Sequence, residues 1–189
     1  MDYYYQKLPS AGKSFYRQLL SAIAARKASV RSSPLLSQDL FQATVKAVNY
    51  DHPELFYVDF QNQIFSQSLK CFTLQLSYLY PSAIVEVVKQ KINAQANIVA
   101  KALSTHKAKP TYVQYRIIHN QLLQLIKYDF SALANPSSNI EAYTIAGALN
   151  SHHAVCEGIA KAFKYICDRV GLFCIIVTGK STFTQTGQP

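Results

Sequence analysis

The sequence has 189 residues, 49% of them hydrophobic, enough for one good-sized domain with a packed core. That apolar fraction excludes global disorder. The lack of any apolar run near ~18 residues excludes a membrane-spanning helix. The formal charge is +9, from 19 Lys and Arg against 10 Asp and Glu, but the basic residues are scattered. Scattered charge reads as a solubilising surface rather than a nucleic-acid site.

The opening Met1-Asp2-Tyr3-Tyr4-Tyr5-Gln6 has no basic segment followed by an apolar one, so it is not a secretory signal. A cytoplasmic protein is expected or, if a signal was removed, a cell-surface or secreted one. Phe15, Leu19, Leu20 and Ile23 predict a helix over 11–27, and 29–34 reads as a loop. Leu40, Phe41, Thr44, Ala47 and Val48 predict a second helix over 37–49, broken at Asp51-His52-Pro53 because the residue before proline avoids the helical region. Phe56, Val58 and Phe60 alternate as in a short strand. The alternation from Cys71 to Tyr80 is clearer, and the two strands are expected to pair.

Pro81-Ser82 opens a long helix to Ser104, with Ile84, Val88, Ile92, Ala96, Val99 and Leu103 inward. Pro110 starts another, with Val113, Ile117, Ile118, Leu122, Leu125 and Ile126 on its stripe; His119 on it reads as structural. Residues 131–139 read as a polar loop, 142–149 as a short helix, and 181–189 as a polar, fraying tail.

The chain is organised around Cys156, which follows the polar loop Asn150-Ser151-His152-His153. The helix it opens carries Ile159, Ala160, Phe163, Ile166, Cys167 and Val170 inward and Lys161, Lys164, Asp168 and Arg169 outward. Gly171 is the left-handed residue expected past a helix, and Leu172–Val177, apolar on both faces, reads as an interior strand. A cysteine at a helix start meets unpaired backbone N–H groups and the positive end of the dipole, which favours the nucleophilic thiolate. Cys71, Cys167 and Cys174 lie in apolar patterns and read as small buried hydrophobes. There is no C-x-x-C pair and no zinc spacing. No metal and no cofactor is expected.

The run Ala154-Val155-Cys156-Glu157-Gly158-Ile159-Ala160-Lys161-Ala162-Phe163 through Gly171-Leu172, then Ile175-Ile176-Val177-Thr178-Gly179, resembles the nucleophile region of transglutaminase-like proteins, which are papain-like cysteine enzymes. Tyr50-Asp51-His52-Pro53-Glu54-Leu55-Phe56-Tyr57 and Ile118-His119-Asn120-Gln121-Leu122 through Tyr128-Asp129 are similar to segments of bacterial members, in matching order. The resemblance implies a Cys-His-Asp triad in which a thiolate attacks a carboxamide carbonyl of a protein or peptide and water or an amine takes the acyl group. Cys156 is then the nucleophile, with its own backbone N–H as an oxyanion donor; no side-chain donor is assigned.

The family places its histidine and aspartate after the cysteine. Here no histidine follows Cys156, and Asp168 lies roughly 18 Å along the helix. His152 and His153 precede the thiol, where the family does not place its base, and are the only nearby candidates. The chain therefore resembles a transglutaminase-like domain without its C-terminal part. The expected architecture is α+β: an N-terminal helical region with a small antiparallel sheet over 1–108, then an incomplete papain-like core over 109–189. These residues alone are expected to lack amidase or acyltransferase turnover, and the open edge of the 172–177 strand is expected to invite self-association. The alternative is a non-catalytic domain in which the same framework serves binding or assembly.

Overall fold

The computed structural model describes residues 2–32, 35–68, 70–104 and 108–179. Its elements are α1 (Tyr3–Lys7), α2 (Ser10–Ala24), β1 (Ser29–Arg31), α3 (Gln38–Asp51), β2 (Phe65–Gln67), β3 (Phe72–Gln75), α4 (Ser82–Ser104), α5 (Thr111–Leu125), β4 (Lys127–Tyr128), α6 (Phe130–Ala134), β5 (His153–Ala154) and α7 (Cys156–Val170). Between α6 and β5 the chain makes 3-10 turns over Pro136–Ser138 and Ile140–Tyr143 and a π-helical turn over Gly147–Ser151. The class is α+β. Among the described residues no helix is long and apolar enough to cross a membrane.

Two large hydrophobic cores and one small cluster form among the described residues. In the first, α2 and α3 pack on an antiparallel sheet of order β1-β3-β2, in register Val30↔Leu74 and Phe65↔Leu74. Phe41 stacks on Phe15 at 5.2 Å and on Phe72 at 4.8 Å between ring centres. The second core gathers the apolar stripes of α4, α5 and α7 around the π-helical turn. There Ile92, Ala96, Ile118, Leu122, Ala148, Leu149, Ala162 and Ile166 are buried.

Several elements differ from the sequence reading. The first five-residue helix was not expected; it exists because the Asp51 carboxylate accepts from the Tyr4 and Tyr5 backbone N–H groups at 3.0 and 2.8 Å. Helix α2 stops at Ala24 rather than residue 27, with Arg26 in the left-handed region at φ 49. Part of the expected 29–34 loop is strand β1. The expected strand around Phe56–Phe60 is reduced to one bridge, Val58↔Tyr78, and β2 takes its place beside β3. The long alternation from Cys71 is a ladder only over Phe72–Gln75. Ile84 is exposed, since it lies in the first turn of α4, ahead of the packed part of the stripe. The expected 131–139 loop contains α6, nucleated when Asp129 accepts from the Ala132 N–H at 2.9 Å. The 142–149 helix is split into a 3-10 turn and the π-helical turn. The polar tail expected over 181–189 lies outside the described residues.

Two corrections concern the central helix. Lys161 and Lys164 were expected outward and are buried, 4% and 1% exposed. Each is matched to a carboxylate one turn away: Lys161 to Glu157 at 2.8 Å, Lys164 to Asp168 at 2.6 Å. Leu172–Val177 forms no helix or strand and joins no ladder among the described residues. Its exposure alternates, with Ile176 buried and Phe173 and Val177 exposed, so it is not an interior strand. Tyrosines take up its carbonyls instead: Tyr115 donates to the Phe173 oxygen at 2.6 Å, and Tyr4 donates to the Ile176 oxygen. Cys71 and Cys174 are half-buried rather than buried; Cys167 is buried.

Candidate active site

Cys156 is exposed and is the first residue of the 15-residue helix α7. Val155 precedes it in extended conformation and supplies no side-chain cap, so the orphan donors of the first turn are not used up locally. Gly171 ends the helix in the left-handed region at φ 78, and the Leu172 N–H closes the turn on the Cys167 oxygen at 2.9 Å.

A two-residue parallel ladder aims the cysteine. Tyr128 of β4 pairs with Ala154 of β5, and the flanking bonds run from Lys127 N–H to the His152 oxygen at 2.9 Å and from Asp129 N–H to the Ala154 oxygen at 3.1 Å. This register brings the Tyr128 phenol against Cys156. Burial raises the phenol's pKa, and the charge of a Cys156 thiolate beside it raises it further. The nearby Cys156 backbone N–H opposes the rise. Tyr128 thus lines the same groove as the nucleophile. Sequence reasoning passed over Tyr128. The signal is the spacing of an apolar helix, Tyr-Asp, and a second short strand before the cysteine, which has meaning only once the strands pair.

Gly158 brings the helix down onto the preceding turn. A Cβ there would stand 2.2 Å from the Ala142 oxygen and 3.0 Å from the Thr144 oxygen. The Val155 N–H donates to that same Ala142 oxygen at 3.1 Å. The residue after the nucleophile, Glu157, is held from three sides, by Lys161 at 2.8 Å, Gln61 at 3.0 Å and Asn49 at 3.4 Å. Lys161 also donates to the Tyr143 oxygen at 3.0 Å. Burial lowers the Lys161 pKa, and the Glu157 carboxylate counters it. The carboxylate nearest the thiol in sequence is therefore paired, which limits its repulsion of a thiolate.

The thiol opens on an apolar groove of about 550 Å³. Tyr128, Cys156, Ile159 and Phe163 form one wall and residues 174–177 the other. The structure does not bring the two candidate bases to the sulfur. His152 is a turn residue at φ 59, and the exposed His153 ring bonds the Ser151 oxygen at 2.9 Å. Among the described residues neither imidazole hydrogen-bonds the Cys156 thiol. No group of three metal-ligating side chains occurs among them either. His119 is exposed on α5 and contacts Asn120. A scan of protein-family models finds no match to the chain, and a search of curated proteins finds none.

Proposed function

We propose that this chain is a transglutaminase-like cysteine domain that forms a thioester at Cys156 from a carboxamide of a protein or peptide, in the manner of an acyltransferase or amidase. One observation carries the reading: an exposed cysteine opens a 15-residue helix above an apolar groove that the Tyr128 phenol also lines. The helix start supplies oriented N–H dipoles at the place where the oxyanion forms.

In the first step the Cys156 thiolate adds to the carbonyl carbon. The carbonyl π pair moves to oxygen, and the oxyanion takes a hydrogen bond from the Cys156 N–H. The phenol O–H then turns to the oxyanion as a second donor. Removing one such donor typically costs about 10²–10³ in rate. Collapse breaks the C–N bond, and the departing nitrogen must pick up a proton. Water or an amine then attacks the thioester and returns the thiol. Both the protonation and the second attack gain typically ~10²–10⁴-fold from an acid–base group. Among the described residues no imidazole hydrogen-bonds the thiol, so acylation by an activated ester is expected and multiple turnover of an amide is not. That same observation favours a second reading, in which the framework serves binding or assembly without catalysis.

The test uses p-nitrophenyl acetate, whose leaving group needs no protonation. Wild type is expected to release one equivalent of p-nitrophenol in a burst and to carry the acetyl group on the tryptic peptide 128–161. Cys156→Ala is expected to show no burst. A burst retained by Cys156→Ala, or an acetyl group on another cysteine, would overturn the acyl-enzyme reading. Amine incorporation into a glutamine-containing protein, measured in parallel, reports turnover.

A further inference from the structure

Strand β1 is an outer strand of the first sheet. One of its edges pairs with β3, and no strand among the described residues pairs with the other. The register decides which backbone groups that free edge carries. The Ser32 N–H donates to the Phe72 oxygen at 2.8 Å, and the Leu76 N–H donates to the Ala28 oxygen at 2.9 Å. Ala28, Val30 and Ser32 therefore turn their backbone groups toward β3. The Gln75 N–H, opposite Ser29, goes the other way, to the Ile64 oxygen at 2.9 Å. Antiparallel pairs alternate between bonded and non-bonded, so Ser29 and Arg31 point their N–H and C=O groups away from the sheet.

That edge borders a cleft of about 520 Å³ between β1 and α2. Three consecutive residues, Ser29, Val30 and Arg31, line it. Neighbouring strand side chains point to opposite faces, so the cleft follows the edge rather than one face. The opposite wall is a polar stripe of α2, with Ser14, Arg17 and Ser21 at helical spacing. Arg17, Lys27 and Arg31 place three cations on the cleft, and no Asp or Glu lines it. Among the described residues none of the three is ion-paired. Arg17 is steadied by donating to the Tyr5 hydroxyl at 2.6 Å.

We propose that this cleft binds an acidic segment of a partner protein in extended conformation, which adds to the sheet as a strand beside β1. The outward N–H and C=O groups of Ser29 and Arg31 supply the main-chain hydrogen bonds, and carboxylates of the segment meet Arg17, Lys27 and Arg31. A polypeptide fits this edge better than a nucleic acid does. A phosphate backbone offers acceptors only and would leave the Ser29 and Arg31 carbonyls unmet. A second copy of the chain fits worse as well. Two β1 edges would bring Lys27 and Arg31 against their own counterparts, and like charges across a strand pair are destabilising. Basic residues on an edge oppose pairing between copies while admitting an acidic strand. The site uses none of the groups around Cys156.

The test follows the fluorescence anisotropy of a fluorescein-labelled peptide of about eight residues, alternating Glu and Val, on titration with the wild-type chain. Saturable binding that weakens as salt is added is expected. Arg31→Glu, on the exposed face of the strand, is expected to weaken it about tenfold. Ser29→Pro removes an outward donor that makes no bond to β3, a place where an edge strand tolerates proline. It is expected to weaken binding about fivefold. A further readout needs no variant: saturating peptide is expected to slow hydrogen exchange at the Ser29 and Arg31 amides. Unchanged exchange at those amides would overturn the proposal, as would equally tight binding of a labelled oligothymidylate, since the cleft would then read charge alone. Absence of saturable binding, or binding indifferent to Arg31→Glu, would overturn it too. Dimerisation of the chain alone that protects the same two amides would assign the edge to a second copy and overturn it equally.

Discussion

Gly158 and Ala142 touch so closely that no side chain fits between them: a Cβ on Gly158 would lie 2.2 Å from the Ala142 carbonyl oxygen. That oxygen is backbone, fixed by the Val155 N–H, and cannot step aside as a flexible side chain would. In an exposed helix interior, Gly→Ala gains about 1 kcal/mol. Here the sign reverses, because overpacking costs about 1–3 kcal/mol, and more against rigid backbone. Gly158→Ala is expected to lower the urea midpoint and to misplace Cys156, which begins the same helical turn. Gly171→Ala is the control. It meets nothing within 4 Å but sits at φ 78, so its cost is the left-handed penalty of about 1–2 kcal/mol, without a change at the thiol. Equal losses in the two variants would argue against the close contact.

Asp51 is the anchor of the N-terminal helix. Its buried carboxylate accepts from the Tyr4 and Tyr5 N–H groups and from the Tyr16 hydroxyl at 3.1 Å. Burial raises the Tyr16 pKa, and the Asp51 charge raises it further. Asp51→Ala leaves three donors without an acceptor, and a buried unsatisfied group costs about 1–3 kcal/mol. The expected loss is about 3 kcal/mol in denaturant unfolding. The Tyr4 and Tyr5 amides should lose protection from hydrogen exchange. Retained protection at those amides would show that α1 is held by its tyrosine packing instead.

The helices of the cores were legible because each repeats its apolar residues over three or more turns, as α4 does from Val88 to Leu103. Cys156, the helix it opens and the Gly171 stop were legible for a local reason: cap, stripe and left-handed residue are neighbours in sequence. What was not legible depends on partners far along the chain. Helix α1 is too short to register as a period and is capped by a residue 47 positions away. Strands β1 and β2 have three residues each, fewer than an alternation needs to show. The burial of Lys161 and Lys164 was written in part as i,i+4 carboxylates, Glu157 and Asp168, but that pattern also describes an exposed face. Tyr128 reaches the site only through the β4–β5 register. The 172–177 segment misled because apolar residues on both faces fit an interior strand. In the fold, tyrosine hydroxyls meet its carbonyls and no described strand meets its edge.

His52 and Glu54 give the fold a pH window. His52 Nδ1 lies 2.7 Å from the Glu54 carboxylate, and its Nε2 is buried without a partner among the described residues. Burial acts to lower the His52 pKa, but the Glu54 bond and charge, with Asp2 and Asp51 also facing it, raise it above the ordinary 6.5. Burial acts to raise the Glu54 pKa, but His52, with Lys164 beyond it, lowers it below the ordinary 4.5. A raised histidine stabilises fully below its unfolded value, and that contribution is lost as pH rises through the folded value. A lowered glutamate stabilises above its unfolded value, and that contribution is lost as pH falls through the folded one. The pair therefore contributes most between about 4.5 and 6.5. Unfolding free energy is expected to decline as pH rises through and beyond neutrality. His52→Gln, which keeps a donor but not the charge, is expected to flatten that decline. An unchanged slope in His52→Gln would place the pH dependence elsewhere.

Cys156 is expected to be the first of the four thiols to react with iodoacetamide in reducing buffer. It is the exposed one, at a helix start, while Cys167 is buried and Cys71 and Cys174 are half-buried. Tyr128 lines the groove beside Cys156, so its phenol can donate to the sulfur as labelling proceeds, and burial raises its pKa, which keeps that proton at neutral pH. Hydrogen bonds to charged groups are worth about 1.5–3 kcal/mol when buried; at an exposed sulfur about 1 kcal/mol is expected, roughly fivefold in labelling rate. Tyr128→Phe should therefore slow labelling of Cys156 about fivefold at pH 7. At pH 10, where thiols ionise regardless, the rates of the two proteins should converge, and the ring in both keeps the groove wall intact. Faster labelling in Tyr128→Phe at pH 7 would mean that the phenol shields the sulfur more than it stabilises its charge. It would then act as a cover over the nucleophile and not as a donor to it.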